Sequence, residues 1–257
     1  MGDETGPHLT YDLALLRKSE EKWKHSAGLR AVYGSIFETI HSRMVPGPAL
    51  ELGSGIGNLK ERIPDVITSD LVKTPYVDRA CSAYDVPPPD AQGKGGWGNI
   101  IAMDVLHHLC RPMDFFASAA AALRPGGRII LMEPAATPFG RLFYSLVHPE
   151  PIAPAKIRPP FVLPPDSEDG EFANMGMAVA LFRQNLAASR ERLSEWGLEI
   201  SEIRYRDVLA YPLTGGYSGR QMASVSVLKA LLWGEGNLPQ WLLSLLALRM
   251  LVVLQKG

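Results

Sequence analysis

Between residues 11 and 44, apolar side chains recur at steps of three and four among charged ones: Leu13, Leu16, Trp23, Leu29, Tyr33, Ile36, Phe37 and Ile40. That period belongs to a helix with one buried face, and here it predicts two amphipathic helices. The pattern changes after Pro46-Gly47-Pro48. Ala49-Leu50-Glu51-Leu52 is a short apolar run leading into Gly53, Gly55 and Gly57, which reads as a buried strand and a Gly-rich turn. A short helix is expected over 60–63, and strands over 66–71, 99–103 and 128–132. Between the last two lies an alanine-rich helix, 115–123, stopped by Arg124-Pro125-Gly126-Gly127. Strands alternating with helices specify a parallel sheet covered on both faces.

Two stretches interrupt this rhythm. Residues 86–98 hold three prolines and four glycines and predict an exposed loop. The proline-dense stretch 134–169 predicts an irregular excursion, a candidate lid. Helical spacing returns over 174–196 through Met177, Leu181, Leu186 and Leu193, with Gly197 as the stop. Residues 198–205 and 250–255 read as strands; between them a Gly-rich loop and two apolar helices, 222–233 and 239–248, are inserted.

Composition acts by exclusion. A chain of 257 residues suits one α/β domain and leaves no room for a second. With 26 basic against 27 acidic residues and no Lys/Arg block, nothing attracts a nucleic acid. Cys81 and Cys110 lack CxxC spacing, so reduced, buried thiols in a cytoplasmic protein are expected. The polar, acidic start does not have the pattern of a secretory leader. The most apolar stretch, 241–254, is broken by Arg249 and falls short of the roughly 20 apolar residues that span a bilayer, so no transmembrane segment is expected.

The chemistry concentrates in Glu51-Leu52-Gly53-Ser54-Gly55-Ile56-Gly57, where a strand hands over to a helix. Glycines there let the backbone turn sharply and let a ligand lie against it. A dinucleotide fold needs GxGxxG, and Asn58 stands at the third glycine's position, which disfavours a pyrophosphate cofactor. A carboxylate at Glu51 suits an ammonium or a sulfonium better than a phosphate. Asp70, ending the second strand, can accept both hydroxyls of a ribose. The bland alternative is a tight turn for the glycines and a helix cap for Asp70. His107 and His108 follow the third of these strands at the sheet edge where ligands bind, and Glu133 ends the next; these three are the candidates for acid–base work, with His148 behind them. The alternative is that the histidine pair caps the next helix and Glu133 accepts structural hydrogen bonds. No set of His, Asp or Glu has ligand spacing, so no metal is expected.

Taken together, ELGSGIG, the acid of ITSD, NIIAMDVLHHL and LRPGGRIILMEP resemble the successive motifs of class I S-adenosylmethionine-dependent methyltransferases, in the small-molecule group similar to methyltransferase type 11, most strongly over 49–134. The resemblance implies a Rossmann-like, doubly wound seven-stranded α/β sheet, mostly parallel with the last strand antiparallel. It divides a single domain into N-terminal helices (11–45), a cofactor-binding core (46–134) and lid or substrate-side insertions (135–170 and 207–248). It implies that Glu51, Gly53, Ser54, Gly55 and Gly57 hold the methionine part of S-adenosylmethionine and that Asp70 with Leu71 holds the ribose. Ser82 and Ala83 would flank the adenine, and Asp104 and Val105 would line the other side. Two positions depart from the pattern: relatives usually carry acids where this chain has Ser82 and Gly98, which weakens the expected adenine contact and leaves a non-catalytic binding protein as the rival reading. The apolar helices of the second insertion suggest a greasy small-molecule acceptor, with core packing or a homodimer contact as the plainer alternative. Tyr11, Trp23 and Tyr33 either close over the cofactor or belong to the core.

Overall fold

In a computed structural model, which describes residues 13–89, 95–165 and 172–257, the amino-terminal pattern becomes α1 (Leu13–His25) and α2 (Ala27–His41). Ser26 separates them and caps α2, its Oγ accepting from Leu29 N. Tyr11 lies outside the described residues, as do 90–94 of the Gly/Pro loop and 166–171 of the proline-dense stretch.

The sheet comprises β1 (Ala49–Leu52), β2 (Ile67–Asp70), β3 (Arg79–Ala80), β4 (Trp97–Met103), β5 (Leu123–Pro134), β6 (Leu198–Arg206) and β7 (Arg249–Lys256). Their order is β3-β2-β1-β4-β5-β7-β6, with β7 antiparallel to both neighbours and the other pairings parallel. This is the doubly wound sheet that the motifs implied. The winding reverses between β1 and β4, and a crevice at the carboxyl ends of those strands is where ligands bind in open α/β sheets.

Side chains alternate across the central strands. Leu50, Leu52, Ile100, Ala102, Ile129 and Leu131 join one core with Phe115, Phe116, Phe182 and Leu193, while Ala49, Ile101, Ile130 and Met132 join another with Trp23, Leu29, Val32 and Ile36. Burial on both faces explains why these strands read as continuous apolar runs. The first core is covered by α3 (Pro112–Ala122), α5 (Met177–Val179) and α6 (Leu186–Ser194), the second by α1 and α2.

The structure differs from the sequence reading at several places, among them the following. The proline-dense stretch contains a helix, α4 (Pro138–Val147), because Thr137 accepts from Gly140 N and Pro138 occupies the first turn, where a missing N–H costs nothing. The helix expected over 174–196 is divided: α5 leads into a wider π-type turn over Ala180–Gln184, and Asn185 donates to Ala180 O and Ile157 O before α6 begins. β4 and β5 start earlier, Trp97 pairing with Leu123 ahead of a bulge. Cys81 and Cys110 are free but half-buried rather than enclosed.

The second insertion leaves the carboxyl end of β6 and returns into β7, closed by Leu248 N donating to Asp207 O at 2.7 Å. It carries α7 (Ala210–Leu213), α8 (Val225–Gly236) and α9 (Gln240–Leu246). Its approach to α2 is close: Gly28 N donates to Gln221 Oε1 at 2.9 Å, and a Cβ on Gly28 would stand 2.6 Å from Leu228 Cδ1. Among the described residues no helix is long and apolar enough to cross a membrane.

Candidate functional site

The loop after β1 turns on three left-handed glycines, with φ of +64° at Gly53, +54° at Gly55 and +68° at Gly57. A Cβ on Gly53 would meet Val105 Cγ2 at 2.4 Å and one on Gly57 would meet the Tyr76 carbonyl oxygen at 2.4 Å, whereas Gly55 faces open space. The outer glycines therefore press against protein and the middle one leaves room for a ligand. Asp70 holds the loop from β2, its Oδ2 accepting from Gly55 N at 3.0 Å and its Oδ1 from Leu71 N at 2.8 Å. Ser54 N donates to Ser69 O, and Ser69 Oγ to Glu51 O.

Glu51 is 2% exposed, and its Oε2 has no hydrogen-bond partner. Burial pushes its carboxyl up to about 8; a hydrogen bond from Ser54 opposes that rise and the charge of Asp70 adds to it. An orphaned carboxyl oxygen is costly, and a cation entering the glycine loop would satisfy it and take the place of the proton. Leu71 and Val72 stand exposed just beyond Asp70. Ala83 is buried, and Ser82 is half-buried with its Oγ accepting from Tyr84 N at 3.2 Å. Gly98 sits at the amino end of β4, away from this crevice. A Cβ there would come within 3.1 Å of Gly47 Cα and the Pro46 carbonyl oxygen, so a side chain at this position meets a close backbone approach.

Across the crevice, Asp104 takes φ +57° at the end of β4 and its Oδ1 accepts from Arg249 at 2.6 Å. Arg249 is 4% exposed and lies over the rings of Tyr33 and Tyr211, at 5.7 and 5.0 Å. Tyr217 packs on Tyr33 and accepts from Asn58 Nδ2 at 3.1 Å, tying the second insertion to the glycine loop. Sequence reasoning missed Arg249, Tyr211, Tyr217 and Asn58 as neighbours; the sole signal was an arginine interrupting an apolar strand. Trp23 and Tyr33 are core residues, Trp23 Nε1 donating to Glu61 at 2.6 Å.

Glu133 is fully buried. Its Oε1 accepts from Val105 N and Leu106 N, at 2.9 and 2.8 Å, and its Oε2 stands 2.8 Å from His107 Nδ1. It therefore caps the turn Leu106–His108 and orients His107 rather than facing an acceptor. His107 is 4% exposed; burial favours its neutral form, but the hydrogen bond and charge of Glu133, with Asp104 and Glu150 behind, outweigh this and raise its pKa. His108 is exposed, with its ring centroid 4.1 Å from that of His107. His148 is exposed and its Nδ1 accepts from Glu150 N at 3.4 Å. Spacing along the chain showed no ligand set. The fold nevertheless brings His107, His108 and Glu150 together, one ligand atom from each lying within 4.8 Å of the others.

No family model matches the chain, and no curated protein matches it in sequence. Solved structures do. An S-adenosylmethionine-dependent methyltransferase of Thermotoga maritima, a possible histamine N-methyltransferase, aligns with 13% identity and TM-score 0.54 over 95% of this chain and 98% of its own. A methyltransferase of Archaeoglobus fulgidus aligns at 12% identity and TM-score 0.52, covering 95% of this chain and all of that one. Geranyl diphosphate C-methyltransferase of Streptomyces coelicolor A3(2), solved with Mg2+, geranyl diphosphate and S-adenosyl-L-homocysteine, aligns at 12% identity and TM-score 0.50 over 99% and 88% of the two chains. At these identities the likeness is one of fold.

Proposed function

We propose that this chain, whose fold is that of the class I methyltransferases, binds S-adenosylmethionine and passes its methyl group to a small acceptor with an apolar body. The observation that carries the reading is the orphaned Oε2 of buried Glu51 on the strand that runs into the glycine loop, where Gly55 faces open space and its N–H donates to Asp70 on the next strand. Glu51 would take the ammonium of the methionine part, with Gly53, Ser54 and Gly57 shaping the loop. Asp70 and Leu71 would hold the ribose, Ser82 and Ala83 the adenine, and Asp104 and Val105 the far side. When bound, S-adenosylmethionine supplies an electrophilic methyl group on a sulfonium. The protein's task is then alignment and exclusion of water, with proton removal only where the acceptor requires it. The acceptor side falls to His107 and His108, on the turn that follows Val105, and Glu133 acts as a positioning residue for His107.

An apolar acceptor is favoured by the side chains exposed on the helices that leave the carboxyl edge: Leu142 and Leu146 on α4, Trp233 on α8, Trp241 and Leu245 on α9. The test is calorimetric titration with S-adenosylmethionine, S-adenosylhomocysteine and NAD in parallel, followed by transfer of a labelled methyl group to fractionated small molecules. Micromolar binding of the two sulfur compounds and labelling of an organic-soluble product are expected. Binding of NAD alone, or of nothing, refutes the cofactor; tight binding without transfer to any fraction favours a non-catalytic binding protein.

A further inference from the structure

Two imidazoles and a carboxylate converge beyond Val105, and the hydrogen bonds around them decide which atoms are free. His107 Nδ1 lies 2.8 Å from Glu133 Oε2, so that nitrogen carries the proton and donates it. His108 Nδ1 lies 3.2 Å from the Phe172 carbonyl oxygen and must donate likewise. Both Nε2 atoms are thereby left to other partners. A histidine whose Nδ1–H is held by a carboxylate or carbonyl is the usual arrangement of an imidazole that ligates through Nε2. His107 Nε2 faces Glu150 Oε2 at 3.5 Å, and that oxygen is enclosed without a hydrogen-bond partner. With His107 neutral, two lone-pair atoms face each other here, and the positive charge between them is either the proton that the surrounding carboxylates draw onto the ring or a metal ion in its place.

The frame around this corner is built. Asn174 N donates to His107 O at 2.8 Å and Met175 N to Pro151 O at 2.9 Å, so the segment bearing Glu150 is fastened through residues 174 and 175 to the turn bearing His107. Asn174 Oδ1 accepts from Ala153 N at 3.0 Å on the same segment. The protein thus spends several main-chain hydrogen bonds on holding a carboxylate from the proline-dense stretch against a buried histidine.

We propose that His107, His108 and Glu150 form a binding site for one divalent transition ion of the zinc class. Two imidazoles and a single carboxylate suit zinc and its neighbours rather than magnesium or calcium, which prefer all-oxygen sets. Zinc with nitrogen and oxygen ligands about 2.1 Å away places them roughly 3.4 Å apart in a tetrahedron. The His107–Glu150 pair already stands at 3.5 Å, and exposed His108 has room to complete the set. Three protein ligands leave a fourth position open, the pattern of a site that handles a small molecule. An ion held by these three residues would lower the pKa of a thiol or hydroxyl reaching the open position, its proton passing to solvent. The site goes beyond the cofactor reading and stands whether or not S-adenosylmethionine binds.

The test uses the full chain without a polyhistidine tag, stripped with chelator, and titrated calorimetrically with Zn2+ and spectroscopically with Co2+. One equivalent is expected, with visible absorption of a tetrahedral cobalt site. His108→Ala and Glu150→Gln, both at the solvent side of the cluster, should each weaken binding at least about tenfold while circular dichroism stays unchanged. No stoichiometric binding to the wild type, or binding undiminished in both variants, overturns the proposal. S-adenosylhomocysteine titrated into the same samples keeps the two readings apart: retained affinity without zinc binding removes only the metal, and the reverse removes only the cofactor.

Discussion

Glu51 is enclosed and keeps a proton that the unfolded chain gives up, and Glu51→Gln measures the consequence. Its carboxyl titrates at about 8 in the folded protein against 4.5 for the free side chain. From about pH 4.5 upward the unfolded state binds fewer protons than the folded one, so stability falls as pH rises, until about pH 8, where the folded group also ionises. Each unit of mismatch is worth about 1.4 kcal/mol, which makes the deficit roughly 3 kcal/mol at pH 7 and below about 1 kcal/mol at pH 5. A Gln of the same shape carries no such deficit, although its amide adds donors that need partners. After that offset we expect the variant to be more stable than wild type by about 1 to 3 kcal/mol at pH 7, and nearly equal to it at pH 5. Urea unfolding at pH 5, 7 and 8 reads the difference. Repeating the series with S-adenosylhomocysteine should invert the order, because ligand binding stabilises only the form that holds it. A stability difference that does not change with pH would refute the buried-proton argument, and a variant that binds S-adenosylhomocysteine as the wild type does would refute the ammonium contact.

Asp70→Ala should weaken S-adenosylmethionine binding by about 1.5 to 3 kcal/mol through lost hydrogen bonds to a charged acceptor, read by calorimetry; unchanged affinity removes Asp70 from the site. Gly55→Ala and Gly57→Ala should separate ligand space from fold. Both strain a positive φ, but only the Gly57 methyl strikes backbone, at Tyr76 O, so Gly57→Ala should lower the melting temperature more. Gly55→Ala should lose cofactor affinity while staying folded; equal melting temperatures would contradict the packing. Glu133→Gln replaces an acceptor of several N–H groups by an amide with donors of its own, and should cost about 1 to 3 kcal/mol of stability in thermal unfolding. Stability equal to wild type would show that the cap at Leu106–His108 does not depend on the carboxylate.

What the amino-acid sequence determined by itself was local or periodic. The helical stripe through Leu29, Tyr33 and Ile36, the apolar strands around Leu50, Ile100 and Ile130, and the glycines after Leu52 each express a rule that operates over a few neighbouring residues. Because the loop follows its strand directly and Asp70 ends the next one, both halves of the proposed cofactor crevice could be read along the chain. Even α4 left a local trace in Thr137-Pro138, hidden by the surrounding prolines. Tertiary structure alone decided what stands opposite that crevice. Arg249 reaches Asp104 because β7 runs antiparallel beside β5, placing the start of the last strand at the carboxyl edge. Glu150 reaches His107 because main-chain bonds from Asn174 and Met175 fold the intervening stretch back. Glu133 loses its catalytic look once three backbone N–H groups are counted on its carboxylate. Such contacts join residues far apart in sequence, and no periodicity records them, since their partners are chosen by strand order and loop closure rather than by the residues beside them.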